Sequence, residues 1–180
     1  MLNTISKKTL TYQIIQSLLI DIFALGFLLL MPGVSHLTKI PFYFFEPMRI
    51  MLVVALIFSN RSNAFAIAVM LPVFSFLVSG HPAPVKMLII IAELLMNAWI
   101  FLALIKKSKK PFISMLIAIL LSKAFCYLIY LIVFSWAFVV EESQTIFLAA
   151  QLALALALSS FVAIITRYSQ ANPRQTLLDS

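Results

Sequence analysis

The stretch LPVFSFLVSGHPAPVKMLIIIAELL, residues 71–95, decides how this chain folds. It consists of two apolar runs separated by Ser79-Gly80-His81-Pro82-Ala83-Pro84. Glycine accepts backbone angles that other residues avoid, and each proline lacks an N–H and restricts the residue before it. The second run carries Glu93, a carboxylate in surroundings where an isolated charge is costly. The sequence therefore predicts two membrane helices joined by a bend, with an acid a few turns past it.

The composition of the whole chain extends this prediction to a membrane protein. Hydrophobic residues make up 63% and charged residues 11%, whereas a typical soluble domain has about 45–50% apolar and about 25% charged residues. The mean hydropathy is +1.09. A length of 180 residues leaves room for roughly six spans of about 20 residues with short loops. A sizeable soluble domain is thereby excluded.

The apolar runs are continuous, which favours helices over barrel strands, whose sequences alternate. A helix also satisfies its own backbone hydrogen bonds inside the bilayer. The predicted fold is all-α, a polytopic bundle of six transmembrane helices forming a single membrane domain over residues 1–180. Pro32-Gly33 is expected to close the first span, and residues 60–63 to form a polar turn. The predicted spans are residues 12–31, 41–59, 64–78, 85–105, 114–139 and 144–166.

The basic residues in the tails, in the loops and at the span ends predict the orientation. With the N-terminus inside, nine lie in inside segments and two in outside loops, which by the positive-inside rule places both termini in the cytoplasm. These cations are topological signals and contacts to lipid headgroups, so nucleic acid is not an expected partner. The nine are Lys7, Lys8, Arg61, Lys106, Lys107, Lys109, Lys110, Arg167 and Arg174, and the two are Lys39 and Lys86.

Polar residues inside the predicted spans fall at one depth. With a rise of about 1.5 Å per residue, those on four different spans lie roughly 10–12 Å from the outer face. Such residues usually face a bundle interior or a wet cavity, so an outward-opening pocket for a small-molecule substrate is predicted. Its expected residues are Glu93, Asn97, Arg49, Lys123 and Gln151, with Ser79 and His81 at the entrance. Glu93 would accept hydrogen bonds or a positive charge, while Arg49 and Lys123 would hold a carboxylate or phosphate-like group.

Other interpretations stand beside the pocket. Glu93 and Lys123 could form a structural pair that only fixes helix packing, and Arg49 could extend to the membrane interface. Asp21, placed near the middle of span 1, fits a hydrogen-bond partner between helices. The small-residue stripe of the last span indicates close helix packing, or a face towards another subunit. Its members are Ala149, Ala153, Ala157 and Ser160.

Catalytic and cofactor chemistry find little support in the sequence. His81 has no second His or Cys nearby, so neither a metal nor another cofactor is expected. An intramembrane enzyme using Glu93 and His81 would need a nucleophile–base pair or metal-ligand spacing, and neither is present. The chain also lacks a nucleotide-binding motif. We therefore expect a protein that is not an enzyme.

The segment from Leu71 to Leu104 resembles the middle of substrate-binding S components of energy-coupling factor (ECF) transporters. The matching features are Ser75-Phe76-Leu77 at a helix end, the bend Ser79-Gly80-His81-Pro82, and Glu93-Leu94 in the following helix. Elsewhere the resemblance is architectural, in length, six helices and cytoplasmic ends. In the family, the first helix commonly offers an Ala-x-x-x-Ala face to the coupling subunit. Here that spacing occurs instead in span 3, at Ala64 and Ala68.

The resemblance implies a small multi-pass subunit in the plasma membrane of a prokaryote. Such a subunit binds a vitamin-like micronutrient from outside and passes it to a transmembrane coupling subunit with two cytoplasmic ATPases. Any ATP hydrolysis would belong to those partners. The alternative is a structural or scaffold subunit whose polar layer only fixes helix packing.

Overall fold

A computed structural model describes residues 2–38, 46–80, 82–133 and 144–171, which are helical apart from short connections and contain no strand. Five of the helices in these ranges are long and apolar enough to cross a membrane. This confirms the all-α class and is compatible with a multi-pass membrane protein. The helices are α1 (Leu2–Thr38), α2 (Pro47–Phe58), α3 (Arg61–Ser79), α4 (Pro84–Ser108), α5 (Pro111–Val133) and α6 (Gln144–Ala171).

The second helix is shorter than its predicted span. It has 12 residues, a length of about 18 Å, and is too short for a hydrocarbon core of about 30 Å. It begins at Pro47 because Glu46, in the left-handed region with φ 45°, turns the chain immediately before it. Residues 41–45 of the predicted span lie outside the described residues.

The first helix corrects another prediction, because it does not end at Pro32-Gly33 but continues to Thr38. A proline inside a helix removes one backbone hydrogen bond. Membrane helices tolerate this loss better than a complete break, which would leave several backbone groups without partners.

The bend in the opening stretch is confirmed. Helix α3 ends at Ser79, and Gly80 closes it in the left-handed region with φ 66° and an N–H bonded to the Phe76 carbonyl at 2.8 Å. Helix α4 starts at Pro84, directly after extended Ala83. The turn predicted at residues 60–63 is shorter, since α3 already begins at Arg61.

The connections define the direction of each helix. Helices α2 to α5 are joined by two- to four-residue connections, so neighbours in this series run in opposite directions. Phe112 at the start of α5 and Thr166 near the end of α6 line one cavity, so these two helices are antiparallel as well. One apolar core cluster joins α2, α4, α5 and α6. Its buried members are Val53, Ile100, Phe101, Met115, Ala118, Ile119, Ala155, Leu158 and Val162.

Helix α1 is attached to α2 and α3 by polar contacts. Asn63 Nδ2 donates to Asp21 Oδ1 at 2.8 Å, and the Ser17 and Ser59 hydroxyls lie 2.9 Å apart. The interpretation of Asp21 as a partner between helices is confirmed. Through these contacts this part of α1 lies against the α2–α3 turn and the start of α3.

The two small-residue motifs have opposite environments. Ala64 and Ala68 of α3 are fully buried within the chain, against α1, α2 and α4. They are therefore not available to a coupling subunit. The α6 stripe (Ala149, Ala153, Ala157 and Ser160) is exposed, so its predicted packing within the chain is wrong. A contact of this stripe with another subunit stays a prediction.

Candidate functional site

Four of the predicted pocket residues lie in one layer at the edge of the apolar core cluster. Each is one helical turn, four residues, from a member of that cluster. Because α5 runs opposite to the other three helices, the step is forwards in α5 and backwards in the rest. All four steps therefore lead to the same side of the core, the side of the bend. The pairs are Arg49 with Val53, Asn97 with Phe101, Lys123 with Ile119, and Gln151 with Ala155.

Helix α2 begins inside this layer. Arg49 is its third residue, not a residue eight positions into a span, and its side chain is only 3% exposed. The Glu46 carbonyl accepts the Arg49 backbone N–H at 2.9 Å, whereas its carboxylate forms no capping hydrogen bond with the helix. That carboxylate is instead directed to side chains. The prediction that Arg49 extends to the membrane interface is wrong.

Glu46, Arg49, Glu93 and Lys123 form a compact four-charge cluster. Arg49 Nη2 donates to Glu93 Oε1, and Lys123 Nζ donates to Glu46 Oε1. Arg49 Nη1 also lies 3.0 Å from Glu46 Oε2, without hydrogen-bond alignment, and Lys123 Nζ lies 3.8 Å from Glu93 Oε1. Each cation thus faces both carboxylates, and the cluster has no net charge. It joins α2, α4 and α5.

The cluster agrees with the sequence interpretation in part. The predicted Glu93–Lys123 pair is present, but at 3.8 Å it is the longest contact, and Arg49 is the main partner of Glu93. Glu46 was not among the predicted pocket residues. Its spacing of three residues from Arg49 is the signal that would have found it, since residues three apart face each other on a helix. The left-handed turn at Glu46 could not be read from the sequence.

Two buried side-chain amides in this layer have atoms without hydrogen-bond partners among the described residues. Asn97 is 0% exposed and follows Glu93 by one turn, and both its Oδ1 and Nδ2 have no partner among the described residues. Gln151 is 6% exposed, and its Oε1 is likewise unpaired there. Buried polar groups nearly always have partners. A small polar molecule or water at this layer would provide them.

The predicted entrance residues lie at the end of α3. Ser79 is exposed, and its hydroxyl donates to the Ser75 carbonyl at 2.7 Å. It belongs to none of the ion pairs of the four-charge cluster. His81 lies outside the described residues.

Comparison with known proteins adds no relative. No family model matches this chain, and neither a curated protein nor a solved structure matches it. The resemblance to S components of ECF transporters therefore stays a prediction, and function rests on the geometry of the layer.

Proposed function

We propose that this chain is a membrane-embedded substrate-binding subunit for uptake of a vitamin-like or other small micronutrient, with a pocket that opens outward. The observation that carries the proposal is a set of buried amide atoms without described partners, Asn97 Oδ1 and Nδ2 and Gln151 Oε1, in the layer of the four-charge cluster. A buried amide without a partner costs about 1–3 kcal/mol. Two such amides in a mostly apolar bundle are explained if a bound ligand supplies their hydrogen bonds.

The charges of the layer restrict the chemistry of the ligand. Arg49 and Lys123 already balance Glu46 and Glu93, so a ligand with net charge would leave an uncompensated charge in a buried site. A neutral polar or zwitterionic solute enters without that penalty. Its acidic group would exchange with a carboxylate at Arg49 or Lys123, and its basic or donor group would bind Glu93. Asn97 and Gln151 would hold its amide, hydroxyl or carbonyl groups.

The energy for uptake would come from partners. By resemblance to S components, a transmembrane coupling subunit and cytoplasmic ATPases would drive release to the inside, with both termini of this chain in the cytoplasm of a prokaryote. Since Ala64 and Ala68 are buried inside the chain, the coupling surface would involve another face. The exposed small-residue stripe of α6 offers such a face.

A thermal-shift screen of the purified chain tests the proposal. We expect one or more vitamin-sized zwitterionic or neutral polar compounds to raise the melting temperature. Glu93→Gln should weaken that ligand roughly 10- to 100-fold, because a hydrogen bond to a charged group contributes about 1.5–3 kcal/mol. Asp21→Asn is the matched control, since it also neutralises an acid in an apolar helix but lies at the α1–α3 contact. Equal loss in both variants, or no hit across the panel, would count against a binding site in the layer.

A scaffold role is the second candidate, and one observation favours it. All four charges of the cluster already have partners within the chain, as expected of a device that fixes the packing of α2, α4 and α5. In that case Glu93→Gln would change the unfolding temperature without any ligand being found. The melting temperatures of the wild-type protein and of Glu93→Gln, each measured with and without the panel compounds, separate the two candidates. A binding subunit shows a ligand-induced shift that the substitution reduces, whereas a scaffold shows no such shift in either protein.

A further inference from the structure

A group of basic residues lies around a cavity at the opposite end of the bundle, where the charge count predicts the cytoplasm. A cavity of about 460 Å³ is bounded by the α4–α5 connection, the start of α5 and the end of α6. Its volume is in the range of small-molecule sites, about 300–1,000 Å³. Its lining combines the cations Lys109, Lys110 and Arg167 with the apolar side chains of Phe112, Ile113 and Ala163.

The connection that carries the two lysines is fixed by hydrogen bonds. Ser108 Oγ accepts the Lys110 backbone N–H at 3.3 Å and lies 3.0 Å from Ser114 Oγ. The Lys110 carbonyl accepts the Ser114 N–H at 3.0 Å, and the Lys109 N–H donates to Ile105 at 3.2 Å. Both lysines are therefore presented from an ordered turn.

Lys109 occupies a backbone position that favours glycine. Its φ is 53°, in the left-handed region, at the C-cap of α4. An L-residue costs roughly 1–2 kcal/mol there, and glycine is the usual residue at this kind of helix end. A lysine at this place keeps a cation at the mouth of the cavity at the expense of backbone strain.

The three cations of the cavity have no carboxylate partner among the described residues. Every ion pair among the described residues belongs to the four-charge cluster, which lies in the other half of the bundle. Below the cations the lining turns apolar, with Phe112, Ile113 and Ala163. The exposed face of α5 continues from Ile113 through residues 117 and 120 towards the bilayer interior.

We infer that this cavity binds the phosphate headgroup of an anionic phospholipid. Lys109, Lys110 and Arg167 meet the phosphate, and the acyl chains lie along the exposed apolar face of α5. Basic pockets between helices on the cytoplasmic side suit such headgroups. Free inorganic phosphate has the same charge chemistry but would leave the apolar part of the cavity unused, so the lipid is the favoured source.

Native mass spectrometry of the full chain with added phosphatidylglycerol or phosphatidylcholine tests this site. Lys109→Gly with Lys110→Gln removes two lining cations while relieving the strained turn, so folding is preserved. Lys106→Gln with Lys107→Gln is the matched control, because it removes the same charge from exposed residues of the last turn of α4 that do not line the cavity. At about 1 kcal/mol per cation, phosphatidylglycerol binding should weaken about 30-fold in the first variant. In the control it should change less than about twofold, and Arg167→Gln alone should weaken it about fivefold.

Three outcomes would overturn the inference. An equal loss of phosphatidylglycerol binding in the two double variants would mean that the lipid is attracted to basic surface residues in general and not to the cavity. Equal binding of phosphatidylcholine would exclude selection of an anionic headgroup. Displacement of phosphatidylglycerol by millimolar inorganic phosphate would identify a free-anion site in place of a lipid site.

Discussion

The two ends of this bundle use the same basic chemistry in opposite ways. In the layer of the four-charge cluster Arg49 is buried and Lys123 is partly buried, and each faces both Glu46 and Glu93. At the opposite end of the bundle Lys109, Lys110 and Arg167 are exposed around a cavity, and no described carboxylate pairs with them. Arg49 and Lys123 are paired within the protein, and together with the two carboxylates they form a cluster without net charge. The cations around the cavity are available to an external anion.

A count of basic residues does not distinguish cations that stabilise the fold from cations that bind an external anion, and this comparison does. A buried cation needs a partner of opposite charge within the fold, so its removal lowers the free energy of unfolding. An exposed cation contributes little to the free energy of unfolding, so its removal mainly weakens binding to an anionic surface. The following experiments test this distinction, beginning with the largest expected effect.

Arg49→Leu should lower the free energy of unfolding by about 3–5 kcal/mol, because Glu46 loses one cation and Glu93 its main partner in a buried layer. Equilibrium unfolding in mixed micelles measures this. The same substitution at exposed Arg61 should stay within about 0.5 kcal/mol of wild type. Similar values for the two variants would remove the contrast between buried and exposed cations.

Asn97→Leu should raise the free energy of unfolding by about 1–3 kcal/mol, since it removes a buried amide without partners. Asn63→Leu should act in the opposite direction, because Asn63 donates to Asp21 and its loss leaves that acid unpaired. Thermal unfolding of the two variants beside the wild-type protein gives the sign of each change in stability. A loss of stability in both would mean that Asn97 has a partner in the folded protein.

Glu46→Gln and Lys123→Met, alone and combined, measure the direct contact between those side chains. A double-mutant cycle should give a coupling of about 0.5–3 kcal/mol, as for residues in one ion-pair network. Additive effects of the two substitutions would show that Glu46 is not part of the cluster.

Lys109→Gly and Lys106→Gly should have effects of opposite sign, each about 1 kcal/mol. Glycine relieves the left-handed backbone at Lys109, whereas within the last turn of α4 it costs helix propensity. Melting temperatures of the two variants test this. Destabilisation by Lys109→Gly would contradict the left-handed turn at the mouth of the cavity.

Much of this architecture could be predicted from the sequence, and the failures have local causes. Hydropathy and the Gly80–Pro84 bend gave the helices and the break between α3 and α4. The short length of α2 was missed because a left-handed Glu46 has no sequence signature. Pro32 was taken as a helix end, although a membrane helix tolerates proline.

The candidate site was predicted in depth but not in detail. The depth estimate predicted that Glu93, Arg49, Lys123 and Gln151 share one layer, and the structure brings the first three together in the four-charge cluster. The choice of partners depends on rotation about each helix axis, which hydropathy does not encode. The sequence offered Lys123 as one alternative partner of Glu93, whereas the nearest partner in the structure is Arg49.

Native mass spectrometry of the purified wild-type chain beside Asn97→Leu tests the central claim most directly. The outer layer is proposed to hold a small solute with no net charge, bound in part by Asn97. The wild-type protein should therefore carry a co-purified or added adduct of vitamin size, and folded Asn97→Leu should carry none. A wild-type protein that stays empty across the panel, or an adduct kept equally by Asn97→Leu, would contradict this.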